Sequence, residues 1–179
     1  DVLYEFPAGF TFPGFYAAMA TAYAAKYGMP YEALFSIALK NHAHGALNDK
    51  AQFGMTIREI MDRRVAKAKE KGGPVPSWKD ELEFLRDPGA NPPVAWPLRL
   101  FDCSPITDGA AAVLVVAEEA ARRYTDRPVR VLGTGQASDA ALYGREDLTS
   151  LRAAKEAAAQ AYAMAGVKPS QIKVAEVHD

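Results

Sequence analysis

The spacing of apolar residues changes about halfway along the chain, and the change marks two kinds of structure. From Gly14, the residues Phe15, Ala18, Met19, Ala22 and Tyr23 recur at three- and four-residue intervals, which predicts a helix. Gly28, followed by Met29 and Pro30, ends it. A second helix is predicted over Tyr31–Asn41, with Glu32 in the first turn, where negative charge is favoured. Lys40 to Asn48, including His42 and His44, then reads as a polar turn. Ile57 to Lys71 is a charged amphipathic helix closed by Gly72-Gly73-Pro74. Residues 72–97 are crowded with prolines and hold both tryptophans and the acidic run Lys79-Asp80-Glu81-Leu82-Glu83. They read as an irregular surface excursion whose tryptophans cover the domain's own apolar surface.

From Leu98 the period shortens. Val113-Leu114-Val115-Val116 predicts a buried strand, Glu118 to Tyr124 a helix, and Val129 to Gly133 another strand. Asp147-Leu148-Thr149 leads into an alanine-rich helix that stops at Ala165-Gly166, and Ile172 to Val177 predicts a last strand. Strand, helix, strand, helix, strand implies a layered α/β sheet. A helical, irregular first half, about 1–97, therefore precedes an α/β second half.

Composition narrows the class. Over 179 residues, 21 Lys and Arg offset 22 Asp and Glu, so no strong field points to nucleic acid or an acidic membrane. The one cysteine makes no internal disulfide, which suits a reducing compartment. No apolar run approaches the roughly 20 residues that span a bilayer. Asp1 to Glu5 has neither the basic start nor the apolar stretch of a signal peptide, and a start without Met fits a chain that begins partway through a longer one. The expectation is a cytoplasmic protein with no nucleic-acid or membrane partner.

Two strings carry candidate chemistry. Asp102-Cys103-Ser104-Pro105-Ile106-Thr107-Asp108-Gly109 turns into Ala110-Ala111-Ala112-Val113, leaving little side-chain bulk where a ligand could approach backbone. Ala175-Glu176-Val177-His178-Asp179 delivers a His-Asp pair at a predicted strand tip, where open α/β sheets present their chemistry. Imidazole there can hold a water or donate to a developing oxyanion. Cys103 is a poor candidate nucleophile, because neighbouring Asp102 raises a thiol pKa and no helix N-terminus lowers it. His42 and His44 lack the cysteine pair or acidic cluster of a metal site, and suit backbone bonding or ligand contact better. Gly133-Thr134-Gly135-Gln136 begins like a dinucleotide fingerprint, but Ser138 replaces the third glycine and no helix follows at once.

Several strings in order resemble the thiolase superfamily, of the archaeal and sterol-carrier-protein types. They are Phe12-Pro13-Gly14 with Lys26-Tyr27-Gly28; Lys40-Asn41-His42 through Asn48 to Ala51-Gln52-Phe53; Pro97 through Asp102-Cys103-Ser104-Pro105 to Ala112; Leu132-Gly133-Thr134-Gly135-Gln136-Ala137-Ser138-Asp139; Asp147-Leu148-Thr149-Ser150; and Ala175 to Asp179. The likeness implies a five-layered αβαβα fold, present here in part, in a dimer, a tetramer or a larger thiolase complex. It implies three domains: 1–97 as the loop domain that covers the substrate, 98–127 as the end of the N-terminal half, and 128–179 as the start of the C-terminal half.

The resemblance also implies acyl-CoA and CoA as substrates, without a separate cofactor or metal. His178 matches the residue that holds an oxyanion-hole water, Ser104 the pantetheine-contacting serine, and the turn carrying His42 and Asn48 the part that faces CoA. The acylated cysteine would lie upstream of residue 1, and the partner histidine and cysteine beyond Asp179. The expected function is part of an acyl-CoA acyltransferase that cleaves 3-oxoacyl-CoA or condenses two acyl-CoAs through an acyl-cysteine, inactive as this piece alone. The alternative is a non-catalytic CoA-binding or scaffold subunit.

Overall fold

The computed structural model describes residues 5–177. The chain divides into two compact units, Asp1–Asp108 and Gly109–Asp179.

Among its described residues, the first unit contains four α-helices, a small hairpin and one 3-10 turn. Helix α1 (Phe12–Tyr27) carries Pro13 in its first turn, where no N–H is needed, and ends at Gly28 with φ 68°. Helix α2 covers Ala33–Gly45 and α3 covers Ile57–Glu70. A reciprocal cap starts α3: Glu59 N donates to Thr56 Oγ1 at 3.2 Å, and Thr56 N donates to Glu59 Oε2 at 2.8 Å. Helix α4 (Glu81–Arg86) is capped by Asp80, whose Oδ1 accepts from Glu83 N at 2.8 Å. Strands β1 (Pro93–Ala95) and β2 (Leu98–Arg99) pair antiparallel and turn at a cis Trp96–Pro97 peptide.

The core of this unit joins Phe35 of α2, Ile57 and Met61 of α3, Phe84 and Leu85 of α4, and Ala90. Ile57 and Met61 are four residues apart and so lie on one helix face. Each large apolar side chain buried there is worth about 1.5–3 kcal/mol. Phe84 meets Trp78 edge-on at 4.9 Å and Phe101 at 5.5 Å between ring centroids. The Arg64 guanidinium lies 5.2 Å from the Phe84 ring and donates to Ala90 O at 2.7 Å. At the centre is Asn91, fully buried, whose Nδ2 donates to Leu85 O at 3.0 Å and whose Oδ1 accepts from Phe101 N at 3.0 Å. Bidentate pairs between Arg58 and Glu81 and between Arg86 and Glu32 tie α4 to α3 and to the start of α2.

Three expectations for this unit are corrected. Lys40–Gly45 is not a polar turn but the last turns of α2, because nothing before Gly45 breaks the helix. The second helix also starts at Ala33 rather than Tyr31. Residues 72–97 are not a surface excursion, since they supply Phe84, Leu85, Ala90 and Asn91, the centre of the core. The charges of α4 point outward into ion pairs while Phe84 and Leu85 point in. Trp78 does cover its own domain, with Nε1 donating to Asp87 Oδ2 at 2.8 Å, but Trp96 remains 61% exposed beside Tyr31 and Arg99.

The second unit contains α5 (Glu118–Ala121) and α6 (Arg152–Ala165), the latter ending at Gly166 with φ 66° as expected. Glycines let the 133–136 segment lie directly on α6. A Cβ at Gly135 would overlap the Ala157 carbonyl, and one at Gly133 would overlap that of Ala161. Gln136 N donates to Gln160 Oε1 at 3.1 Å in the same crossing. The Gly133-Thr134-Gly135 string thus serves backbone packing. Asp139, whose carboxylate accepts from Ala140 N at 2.8 Å and pairs with Arg152, sits at the start of α6.

Among the described residues of this unit no strand ladder forms. The three predicted strands at 113–116, 129–133 and 172–177 are therefore corrected to unpaired segments, with Val113, Val129 and Val174 at 79% exposure or more. A strand requires a neighbour to take its N–H and C=O groups, and β-branched sequence alone supplies none. The helix predicted to reach Tyr124 stops at Ala121 and continues as turns.

The central role of Asn91 is testable. Replacing Asn91 with Ala leaves the Leu85 carbonyl and the Phe101 N–H buried without partners, so denaturant unfolding should show a loss of about 2–4 kcal/mol. Asn48→Ala, which removes one exposed turn bond, should cost less, about 0.5–1 kcal/mol.

Candidate functional site

Three segments of the first unit converge beside its core: the end of α2, the 51–55 turn and the 101–107 stretch that follows β2. His42, in the last turns of α2, has its Nδ1 3.2 Å from the Met55 carbonyl oxygen. A carbonyl only accepts, so the contact assigns the proton to Nδ1. The imidazole meets Phe101 edge-on at 5.5 Å and tilts over Phe53 at 5.9 Å between centroids. Farther along the same seam, Thr107 Oγ1 donates to Gln52 Oε1. Two side chains from the helix end and the turn therefore hold the segment that carries Ser104.

Asn48 and Ser104 are both exposed at this seam. Asn48 Oδ1 accepts from Lys50 N at 3.0 Å, an Asx turn that fixes how the chain leaves α2. His44 is exposed in the last turn of α2. Three of the expected ligand-contacting residues, Ser104, His42 and Asn48, thus belong to segments that pack together. His178 lies outside the described residues, as does Asp179.

The segment before Ser104 is electrostatically distinctive. Asp102 Oδ2 accepts from Arg99 N at 2.8 Å, while its Oδ1 is buried with no hydrogen-bond partner among the described residues. Burial raises the Asp102 pKa, against the lowering effect of the Arg99 backbone and guanidinium. Half-buried Cys103 has its thiol pKa raised, first by burial and then by Asp102. That agrees with the expectation that it is not a nucleophile. Arg99 itself reaches back, Nη1 donating to Arg86 O at 3.0 Å, with its guanidinium 5.8 Å from the Phe35 ring.

Two features of this region were not foreseen. Arg64 looks like part of a solvated, charged helix face, yet its guanidinium covers Phe84 and Phe101. Only its four- and seven-residue spacing from Ile60 and Ile57 hints at this placement. The Gln52–Thr107 bond joins residues 55 positions apart, and nothing in local spacing signals it. Among the described residues no three ligand-type side chains gather to hold a metal, and no helix is long and apolar enough to cross a membrane.

Comparison with known proteins adds to this geometry. A family model described as thiolase C-terminal domain-like matches residues 135–179. An acetyl-CoA acetyltransferase of Methanothermobacter thermautotrophicus is 37% identical over 182 residues, covering 100% of this chain and 40% of the relative. One of Methanocaldococcus jannaschii is 36% identical, covering 96% of this chain and 38% of the relative. The chain belongs to the thiolase superfamily. Sterol carrier protein 2 of Oryctolagus cuniculus is 26% identical over 93% of the chain and 27% of its own length. The chain thus spans about two fifths of the length of the two acetyltransferases. Both family strings of the seam, Lys40 to Phe53 and Pro97 to Ala112, lie in these thiolase alignments, and the C-terminal match includes His178.

The raised Cys103 thiol makes a direct prediction. A raised pKa lowers the thiolate fraction at neutral pH, so alkylation of Cys103 at pH 7 should be slower than that of a free thiol with the usual pKa of about 8.5. Asp102→Asn removes the neighbouring charge and should speed alkylation. Equal rates in the two proteins would show that Asp102 does not act on the thiol.

Proposed function

We propose that this chain forms part of a thiolase-type acyl-CoA acyltransferase, which cleaves 3-oxoacyl-CoA with CoA or condenses two acyl-CoAs through an acyl-cysteine. The observation that carries this reading is the 37% identity, along the whole chain, to a protein named acetyl-CoA acetyltransferase. In this reading the chain lies in a five-layered αβαβα subunit that works as a dimer or tetramer in the cytoplasm. Residues 1–97 cover the substrate, 98–127 end the N-terminal half and 128–179 begin the C-terminal half. CoA enters as substrate, with no metal.

The residue roles are those the thiolase resemblance implies, and the side chains have the chemistry for them. The exposed Ser104 hydroxyl and Asn48 amide offer hydrogen bonds to the amide-rich pantetheine arm. His42 adds its Nε2, which makes no hydrogen bond among the described residues, from a ring already oriented by Met55 and Phe101. His178 holds a water that donates to the thioester oxygen as negative charge develops there. The covalent step needs a thiolate, and Cys103, the chain's one cysteine, has its pKa shifted the wrong way. In the thiolase reading, as the resemblance implies, the acylated sulfur belongs to polypeptide outside these 179 residues. The same property of Cys103 favours a second reading, a non-catalytic thiolase-like subunit that binds CoA or serves as a scaffold in a larger complex.

One substitution tests the first reading. In the complete subunit, His178→Ala should depress turnover of 3-oxoacyl-CoA by about 10²-fold or more, the scale of losing an oxyanion donor. A change below about threefold would assign His178 a structural role. Absence of turnover in the unmodified subunit, with CoA binding retained, would favour the second reading.

A further inference from the structure

Among the contacts outside the proposed ligand set, one side-chain pair links the far end of the Ser104 segment to the turn after α2. Gln52 stands in the turn after α2, and Thr107 three residues beyond Ser104. Thr107 Oγ1 donates to Gln52 Oε1 across a sequence separation of 55 residues. His42 makes a second link between the same segments, through Met55 on one side and Phe101 on the other. Phe101 is in turn fixed by the buried Asn91 and by Phe84. The start of the segment is thus anchored in the core. Its far end, past Ser104 and Pro105, has the Gln52 bond as its side-chain link to the turn. No comparable anchor acts on Ile106, which is fully exposed.

We propose that Gln52 is a positioning residue which, through Thr107, holds the Ser104 segment against the 51–55 turn and so sets the path of the thioester's pantetheine arm. The inference rests on the thiolase reading, and adds a residue that touches neither substrate nor the reacting sulfur. A segment tethered at both ends presents the Ser104 hydroxyl in one place before ligand arrives. Freed at one end, it must be ordered at the moment of binding, and that ordering appears as weaker binding rather than slower chemistry. Donor and acceptor are also defined. The hydroxyl donates and the amide oxygen accepts, so a carboxylate at residue 52 preserves the bond, whereas an apolar residue at either position removes it.

The test is steady-state kinetics of the complete subunit with 3-oxoacyl-CoA, alongside thermal unfolding. Gln52→Ala and Thr107→Val should each raise KM roughly three- to tenfold with kcat nearly unchanged and the melting temperature retained. The double variant should be no worse than either single one, because both remove the same bond. Gln52→Glu should return KM close to that of the unmodified subunit. Additive effects, parallel losses in kcat and stability, or failure of Gln52→Glu to restore KM would overturn the positioning role. Unaltered kinetics in the single variants of an active subunit would overturn it while leaving the thiolase reading intact. An unmodified subunit that neither binds nor turns over CoA thioesters would overturn that reading, and this inference with it.

Discussion

The buried amide of Asn91 is the constraint on which the first unit depends. It is fully buried, and it bonds in one direction to the end of α4 and in the other to the backbone just before the Ser104 segment. A buried amide tolerates few alternatives, since each unmet hydrogen bond costs the desolvation of that group. The amide therefore fixes Phe101 relative to Leu85, and the Phe84–Phe101 contact repeats the same registration with aromatic surface. Two arginines reinforce it from outside. Arg64 donates to Ala90 O, and Arg99 donates to Asn91 O and to Arg86 O, so the carbonyls of Ala90 and Asn91 are also satisfied.

From this anchored point the seam beside the core follows. Phe101 receives the His42 ring, His42 reaches the Met55 carbonyl, and the 51–55 turn reaches Thr107 through Gln52. The outcome is a pair of exposed polar residues, Asn48 and Ser104, on segments held to one another by side-chain contacts. Such an arrangement suits recognition of a flexible, polar arm, because the ordering cost is met by folding rather than by binding. It lends itself less to covalent catalysis from within the seam, where burial and then Asp102 raise the Cys103 thiol pKa. Binding of the thioester and attack upon it are, in the proposed enzyme, assigned to different stretches of polypeptide.

Local signals in the sequence were reliable where one local interaction decides the outcome. Gly28 and Gly166 end their helices because each adopts a left-handed conformation, and Thr56 with Glu59 starts α3 as a cap. They failed where distant partners decide. Prolines and charges around α4 conceal Phe84 and Leu85, whose burial depends on α2 and α3 arriving from elsewhere. Lys40 to Gly45 is polar enough to read as a turn, yet as helix it sets His42 against Phe101. The β-branched runs at 113–116, 129–133 and 172–177 have strand character without the paired neighbours that make a strand. At the candidate site, Asp102 beside Cys103 made part of the raised thiol pKa legible, while the larger cause, burial, depends on the fold. The Gln52–Thr107 link was not legible, because a bond between two loops leaves no periodic trace.

In the proposed enzyme, the end of α2, the 51–55 turn and the 101–107 segment act as one surface for a CoA thioester. Hydrogen–deuterium exchange of the complete subunit, with and without acyl-CoA, measures this directly. Ligand-dependent protection should concentrate in residues 42–55 and 101–108, with α3 unchanged. Protection confined to other segments, or none in a subunit that binds the ligand, would contradict it.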